Sequence, residues 1–352
     1  MFKMKKYINI SGLGHSGKTS VTDILKEFDN VHNIDNLFEF DLVRIPGGLS
    51  DLKFNVYDHW SPIRADAAIK RFTKVCNRLS DSSTLNLLKK IQSYGTNYEE
   101  IFNNRFLIET NIFLEKLIKK KIKKTYWPYS LIEKSTFFLL LFKLSRKLGF
   151  EKILFHGHYD YYILDNKNFI KYVHQYLNNL FNTISNKNDF VLLNNTIEPY
   201  NGIYNEELFP NLISINVTRD PRDVYASIKF SEQSYIPEFE KKISSIKIKS
   251  QILNSNKIND FIAIQRNLYQ NLTRQDNKNI INLKFEDIVF DYNKTLSVIC
   301  NKVGINKKNH VNKGKYFDPE KSKKNIGIWK KYKDLPEIKL IEKELAEYCY
   351  QD

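Results

Sequence analysis

The sequence predicts a three-layer α/β domain with a mostly parallel central sheet, helices on both faces and a helical insertion. Three observations carry this. First, a short apolar run, Tyr7 to Ile10, leads into a glycine-rich loop and then into VTDILKEF, where Val21, Ile24, Leu25 and Phe28 recur at helical spacing. Second, four more apolar runs bounded by polar turns have the length of buried strands: Lys152 to Phe155, Phe190 to Leu193, Leu212 to Val217 and Ile280 to Phe285. Helix-like segments lie between them, the alternation that builds parallel sheets through crossover helices. Third, the stretch from about Ser61 to Gly149 has no comparable run. It includes AAIKRFTKVCNRL and the region around Ile112 to Ile122, and reads as several helices inserted into one domain covering residues 1–352.

Composition sets the bounds. With 42% apolar residues in 352, the chain can bury one large core, and its many Phe, Tyr, Ile and Leu residues argue against disorder. The three cysteines, Cys76, Cys300 and Cys349, have no spacing that suits a zinc site or a disulfide framework, so a reducing compartment and no metal are expected. The start, MFKMKKYINISG, is basic, but its apolar run is too short for a secretory signal and breaks at Gly12. The longest apolar stretch, FFLLLF from Phe137 to Phe142, falls far short of the ~20 residues that cross a bilayer. It is expected inside a buried helix, and the protein in the cytoplasm.

The net charge of +15 points to an anionic partner. Ten lysines fall between Lys307 and Lys333 against two acidic residues, and six more between Lys116 and Lys124. The second run reads as a solvated face. The first run has more telling neighbours.

Gly12-Leu-Gly-His-Ser-Gly-Lys18-Thr19 fits the phosphate-loop pattern G-x-x-x-x-G-K-[ST] and sits between a strand and a helix, the context that gives the pattern meaning. Glycines let backbone N–H groups converge on phosphate oxygens, and the helix N-terminus adds partial positive charge. Lys18 supplies a full charge and His15 a second. An enzyme of nucleoside triphosphates would also place a carboxylate at the end of a second core strand to hold magnesium. The runs here end in KILFHGH, VLLNNT and INVTR, which weakens a kinase reading.

A second anion site is expected at Leu212 to Ser227. The strand ends in Arg219, Asp220 caps the following helix with Pro221 in its first position, and Asp223 stands where it can complete a capping box. Arg219 is thus placed at a strand terminus, where a guanidinium grips phosphate in a bidentate way, with Ser227 two turns along to donate its hydroxyl.

At these residues the chain resembles the sulfotransferases that use 3′-phosphoadenosine 5′-phosphosulfate (PAPS). In that family an Arg at a strand end and a Ser eight residues later hold the nucleotide 3′-phosphate, a spacing that Arg219 and Ser227 match. Leu283-Lys-Phe-Glu-Asp-Ile288, then Leu296, Ile299-Cys300 and Val303-Gly-Ile305, is similar to the strand and helix that follow that site. Lys321-Ser-Lys-Lys-Asn-Ile-Gly327-Ile-Trp329-Lys330 is similar to the C-terminal loop that covers the nucleotide. The resemblance implies PAPS as co-substrate, with Gly14, His15, Ser16, Gly17, Lys18, Thr19 and Ser20 around its 5′-phosphosulfate. It implies Arg219, Ser227, Lys323, Lys324, Asn325 and Gly327 around the rest. Two departures stand out. The usual basic residue of the 5′ loop is His15, with Lys18 one turn later, and the Arg-Lys-Gly of many cytosolic members is absent from the C-terminal loop.

Sulfuryl transfer needs the sulfur in line with the acceptor oxygen, positive charge at the leaving oxygen, and a base for the acceptor proton. Lys18 and His15 are expected on the leaving side. For the base, His158 in Phe155-His-Gly-His-Tyr159 comes first, then His156, because related enzymes place a histidine after the corresponding strand; Glu198 in NNTIEPY competes. The acceptor would be a hydroxyl or amine of a glycan, a lipid-linked molecule or a small molecule. Two other readings stay open: a small-molecule or glycan kinase using ATP and magnesium, and a nucleic-acid binder. The latter needs aromatics among the basic residues, and Tyr316, Phe317, Trp329 and Tyr332 are the candidates.

Overall fold

The computed structural model describes residues 4–34, 38–80, 96–125, 135–150, 158–185, 189–200, 202–230, 258–274 and 277–351. Its centre is a sheet of five parallel strands: β1 (Lys6–Ser11), β2 (Val31–Asn33), β5 (Phe190–Asn194), β6 (Leu212–Thr218) and β7 (Ile280–Lys284), in the order β2-β5-β1-β6-β7. Two further strands, β3 (Ile118–Thr125) and β4 (His158–Leu164), form a separate antiparallel ribbon. The principal helices are α1 (Lys18–Lys26), α2 (Pro62–Ser80), α3 (Phe106–Leu117), α4 (Thr136–Lys147), α5 (Phe169–Asn182), α6 (Pro221–Phe230), α7 (Ile258–Arg274), α8 (Phe285–Phe290), α9 (Tyr292–Val303) and α10 (Pro336–Glu344).

The inner strands β1, β5 and β6 are buried on both faces, and β5 reads as an unbroken apolar run up to Asn194. Side chains alternate between faces along each strand. On β5, Val191 and Leu193 join a core with Tyr7, α2, α3 and α5. Phe190 and Leu192 join the opposite core with Ile8, Ile10, α1, α8 and α9. A third cluster binds α6, α7 and α10 through Val224, Tyr225, Phe261, Ile262, Ile338 and Ile341. It ties the C-terminus to the helix that follows Arg219.

Four expectations need correction or completion. The edge strand β2 has three residues and is too short to stand out as an apolar run. The stretch 61–149 is not wholly helical: α3 stops at Leu117, Ile118 is extended, and the lysine run continues as β3. Two of its lysines meet partners on β4 or just past its end. Lys121 Nζ lies 3.0 Å from Asp160, and Lys119 Nζ 3.0 Å from Asp165 at the end of the ribbon. The run Lys152 to Phe155 lies outside the described residues. Finally, FFLLLF is helical but not buried, with Phe137, Leu140 and Leu141 exposed, because no described element packs along the outer side of α4. No described helix is long and apolar enough to cross a membrane.

Candidate functional site

Strands β1, β5 and β6 end side by side, and the loop from Gly12 to Gly17 turns over their C-terminal edge, where open α/β sheets gather ligands. Two of its glycines are required by the fold. A Cβ on Gly12 would lie 2.7 Å from the Val217 carbonyl oxygen of β6. Gly17 has φ +84°, and a Cβ there would lie 2.4 Å from the Phe285 ring. Gly14 differs, since an added Cβ would meet nothing within 4 Å, so the fold itself does not demand glycine there.

Helix α1 starts at Lys18 with no side chain capping it and no acidic residue in its first turn. Its leading N–H groups are therefore free of carboxylate competition, which suits an anion. Thr19 is exposed and Ser20 half-buried, whereas Ser16 is buried and its hydroxyl has no hydrogen-bond partner. His15 has a left-handed backbone, φ +65°. Burial and the nearby Arg219 charge both lower its pKa, so the ring is neutral at neutral pH rather than a second positive charge.

Lys18 Nζ lies 3.1 Å from Glu39 Oε1. Burial lowers the Lys18 pKa against the opposing pull of Glu39. Glu39 also accepts from Asn195 Nδ2 at 2.7 Å and from Arg44 Nη2. Burial raises its pKa, but Lys18 and Arg44 outweigh that and hold it below the ordinary carboxylate value. Arg44 further donates to Asp41 Oδ1 at 2.8 Å and the Asn195 carbonyl at 3.0 Å, and its Nη1 stands 3.8 Å from Glu198. Asn195, just past β5, closes the set by accepting from Gly12 N at 3.3 Å. Glu39 and Arg44 escape sequence reasoning because they sit in irregular chain. The available signal is Glu39-x-Asp41-x-x-Arg44 interleaved with apolar residues, a charge pattern in a segment whose Phe40, Leu42 and Val43 are fully buried.

The second centre is Arg219, immediately after β6. Its guanidinium is buried and gathers three segments. Nη1 donates to Ser227 Oγ at 3.1 Å and to the His15 carbonyl at 3.1 Å, and Nη2 to the Asn325 carbonyl. Nε is buried without a partner. Burial lowers the Arg219 pKa against the pull of Asp223, Glu286 and Asp220. Asp220 caps α6, accepting from Arg222 N at 2.8 Å.

The capping box through Asp223 does not form. Asp223 instead accepts from Gly327 N at 2.7 Å and Trp329 N at 3.0 Å, clamping the C-terminal loop onto α6. The Asp220 amide goes to Glu286 Oε1 at 2.8 Å. A long-range carboxylate has taken the local partner's place, and the local one is turned to a distant loop. Burial pushes Glu286 up to about 7, against the hydrogen bonds and the Arg219 charge. A cavity of about 20 Å³ lined by Asp220, Asp223, Glu286, Gly327 and Trp329 has room for one water.

The remaining sequence candidates separate. Gly327, φ +72°, shapes the turn that presents Asn325 to Arg219. Lys323 and Lys321 point into local ion pairs, with Glu320 at 2.7 Å and Asp318 at 3.5 Å, and Lys324 is exposed. Glu198 is half-exposed beside Arg44. His158 is the first described residue after a stretch, 151–157, that lies outside the described residues. It opens β4 of the ribbon opposite Thr125, and what the structure describes of it is backbone alone. His156 lies outside the described residues.

No family model matches the chain, and no curated protein does. Among solved structures, it is similar to the "Sulfotransferase Domain from the Synechococcus PCC 7002 Olefin Synthase", at 12% identity and TM-score 0.40, covering 100% of this chain and 99% of that one. It is similar also to "sulfotransferase STF9 from Mycobacterium avium", at 10% identity and TM-score 0.39, covering 99% and 76%. Both are remote likenesses.

Proposed function

We propose that the chain is a sulfotransferase, moving a sulfuryl group from PAPS to a hydroxyl or amine of a glycan, lipid-linked or small-molecule acceptor. One observation carries the reading: Arg219 Nη1 bonds the His15 carbonyl of the phosphate loop and the Ser227 hydroxyl together. The bond to His15 ties the loop after β1 to the residue just past the neighbouring β6, which supports two anion sites held at one spacing. A donor with separate 3′ and 5′ anionic groups on one adenosine needs such a pair, whereas a nucleoside triphosphate needs one site and magnesium.

The residues fit this donor. The orphaned Arg219 Nε and the Ser227 hydroxyl face the 3′-phosphate role, with Asn325 and Gly327 closing over it and Lys324 nearby in sequence. The open first turn of α1, from Gly14 to Ser20, suits the 5′ end. PAPS, when bound, supplies the activated sulfuryl group. Lys18 leaves Glu39 to neutralise charge on the leaving oxygen, and His15 assists as a neutral donor. Glu39 then has one counter-charge fewer, becomes a stronger base beside the reacting centre, and takes the acceptor proton. Glu198 is the second choice and His158 the third. The insertion at about 61–149 faces the acceptor role. The free, buried thiols of Cys76, Cys300 and Cys349 suit a reducing, cytoplasmic setting.

The test is thermal denaturation with adenosine 3′,5′-bisphosphate in the absence of metal. The bisphosphate should raise the midpoint more than adenosine 5′-monophosphate. Arg219→Ala should erase most of that difference, worth roughly 1.5–3 kcal/mol for a charged hydrogen-bonded contact. Stabilisation by ATP with magnesium alone would replace the sulfotransferase reading with the kinase.

A further inference from the structure

Helix α4 is folded by its own ends. Ser135 caps it by accepting from Phe138 N, Arg146 and Lys147 favour its C-terminal dipole, and Gly149, φ +74°, turns the chain so that Phe150 N reaches the Ser145 carbonyl at 2.9 Å. Phe138, Phe142 and Ser145 form its sheltered side. Phe137, Leu140, Leu141, Leu144 and Leu148 recur at i, i+3, i+4, i+7 and i+11, which places them on one arc of about 100°. All five are between 43% and 71% exposed. Lys147 borders this arc on the side away from the sheltered residues, with Lys143 and Arg146 beyond it, and no acidic residue occurs from Ser135 to Phe150.

We propose that α4 docks the protein on an anionic lipid surface, its leucine and phenylalanine stripe lying in the plane of the bilayer. The stripe offers on the order of 500 Å² of apolar surface, at the upper end of what a monomer shows. That is less than the ~800 Å² per partner of a specific protein interface, which argues against a second copy as occupant. The helix has 12 residues, too few to span a bilayer but enough to lie on one. Lysine stems reach from beside the stripe to headgroup level, and the missing acidic residues remove repulsion from lipid phosphates. Lys119 and Lys121 of β3 are not the source of this charge, because they are already paired with Asp165 and Asp160. This inference is independent of the reaction proposed above.

The experiment is co-sedimentation of the full chain, at low salt, with vesicles of phosphatidylcholine with and without phosphatidylglycerol. The wild type should partition onto the phosphatidylglycerol vesicles. Leu140→Glu with Leu144→Glu should reduce the partition coefficient by about tenfold or more, with an unchanged melting midpoint because both side chains are exposed. Lys143→Glu with Lys147→Glu should remove the preference for phosphatidylglycerol. A wild type that stays in solution with both vesicle types overturns the proposal, as does a leucine variant that binds like the wild type. Self-association in buffer that the leucine variant abolishes, without vesicle binding, assigns the stripe to a second copy instead.

Discussion

The loop at Gly12 to Thr19 and the Arg219 cluster lie at the ends of neighbouring strands, yet they are built from different materials. The loop presents backbone: open helix amides, glycines that keep the chain close to the sheet, and one lysine that is partly exposed and held by Glu39. The Arg219 cluster presents buried side chains gathered from β6, α6, α8 and the C-terminal loop, with most donors already occupied. A site of backbone amides gives up little stability when its ligand-facing side chain is altered. A site made from a buried network couples every member to folding.

Lys18 tests the loop side. Lys18→Ala should lower turnover about 10²–10³-fold, the loss seen when one charge-stabilising group is removed, while leaving the melting midpoint close to the wild type. Glu39→Gln should lose turnover comparably and keep bisphosphate binding, and Glu198→Gln should stay active. Steady-state rates with thermal melts decide this. A Lys18→Ala protein that fails to fold breaks the contrast, and an inactive Glu198→Gln beside an active Glu39→Gln moves the base to Glu198.

The Arg219 side is tested through Glu286, whose pKa burial pushes up to about 7 from 4.5. Below the unfolded value the carboxyl is neutral in both states and contributes no pH dependence. Between 4.5 and 7 the unfolded chain ionises while the folded one keeps its proton, so stability falls as pH rises, reaching its full loss above about 7. The shift corresponds to on the order of 3 kcal/mol. Glu286→Gln keeps an oxygen for the Asp220 amide and cannot ionise. Denaturant titrations should therefore show it level with the wild type near pH 4.5 and more stable at pH 8, the gap opening in between. A constant difference across that range would mean that Glu286 is not titrating as its burial requires.

These contrasts also explain what was legible in the sequence. The glycine loop, the strand ending in Arg219 and the Ser227 spacing are local patterns, and the structure brings them together. The parallel sheet was legible because β1, β5, β6 and β7 each carry a short, largely apolar run, most continuous in β5, whereas β2 is only three residues long. Apart from the local pairs of Arg44 with Glu39 and Asp41, Glu39, Arg44 and Glu286 act through partners 21 to 156 positions away, and no local period marks them. Asp223 misled for the same reason, since its place in the helix fits a local cap while its partners lie 104 and 106 residues on. Lysine spacing in 116–124 could not separate helix from strand, because the deciding acids, Asp160 and Asp165, come from elsewhere in the chain.

The C-terminal loop gives a finer test of the same contrast. The family resemblance assigns Lys323 and Lys324 to the nucleotide, but Lys323 Nζ is held by both Glu320 oxygens, at 2.7 and 2.8 Å, on an exposed turn. Exposed pairs of this kind contribute little, and a lysine so held offers a distant anion only a screened charge. What the loop delivers to Arg219 is the Asn325 carbonyl, positioned by the Asp223 clamp on Gly327 and Trp329. Lys323→Ala should accordingly change bisphosphate affinity by less than about threefold. Asp223→Asn, which weakens the clamp without altering the phosphate loop, should change it more. Isothermal titration of both variants gives the order directly. If Lys323→Ala proves the more damaging, the loop acts through its charge, and the buried Arg219 network is a scaffold beside the nucleotide site.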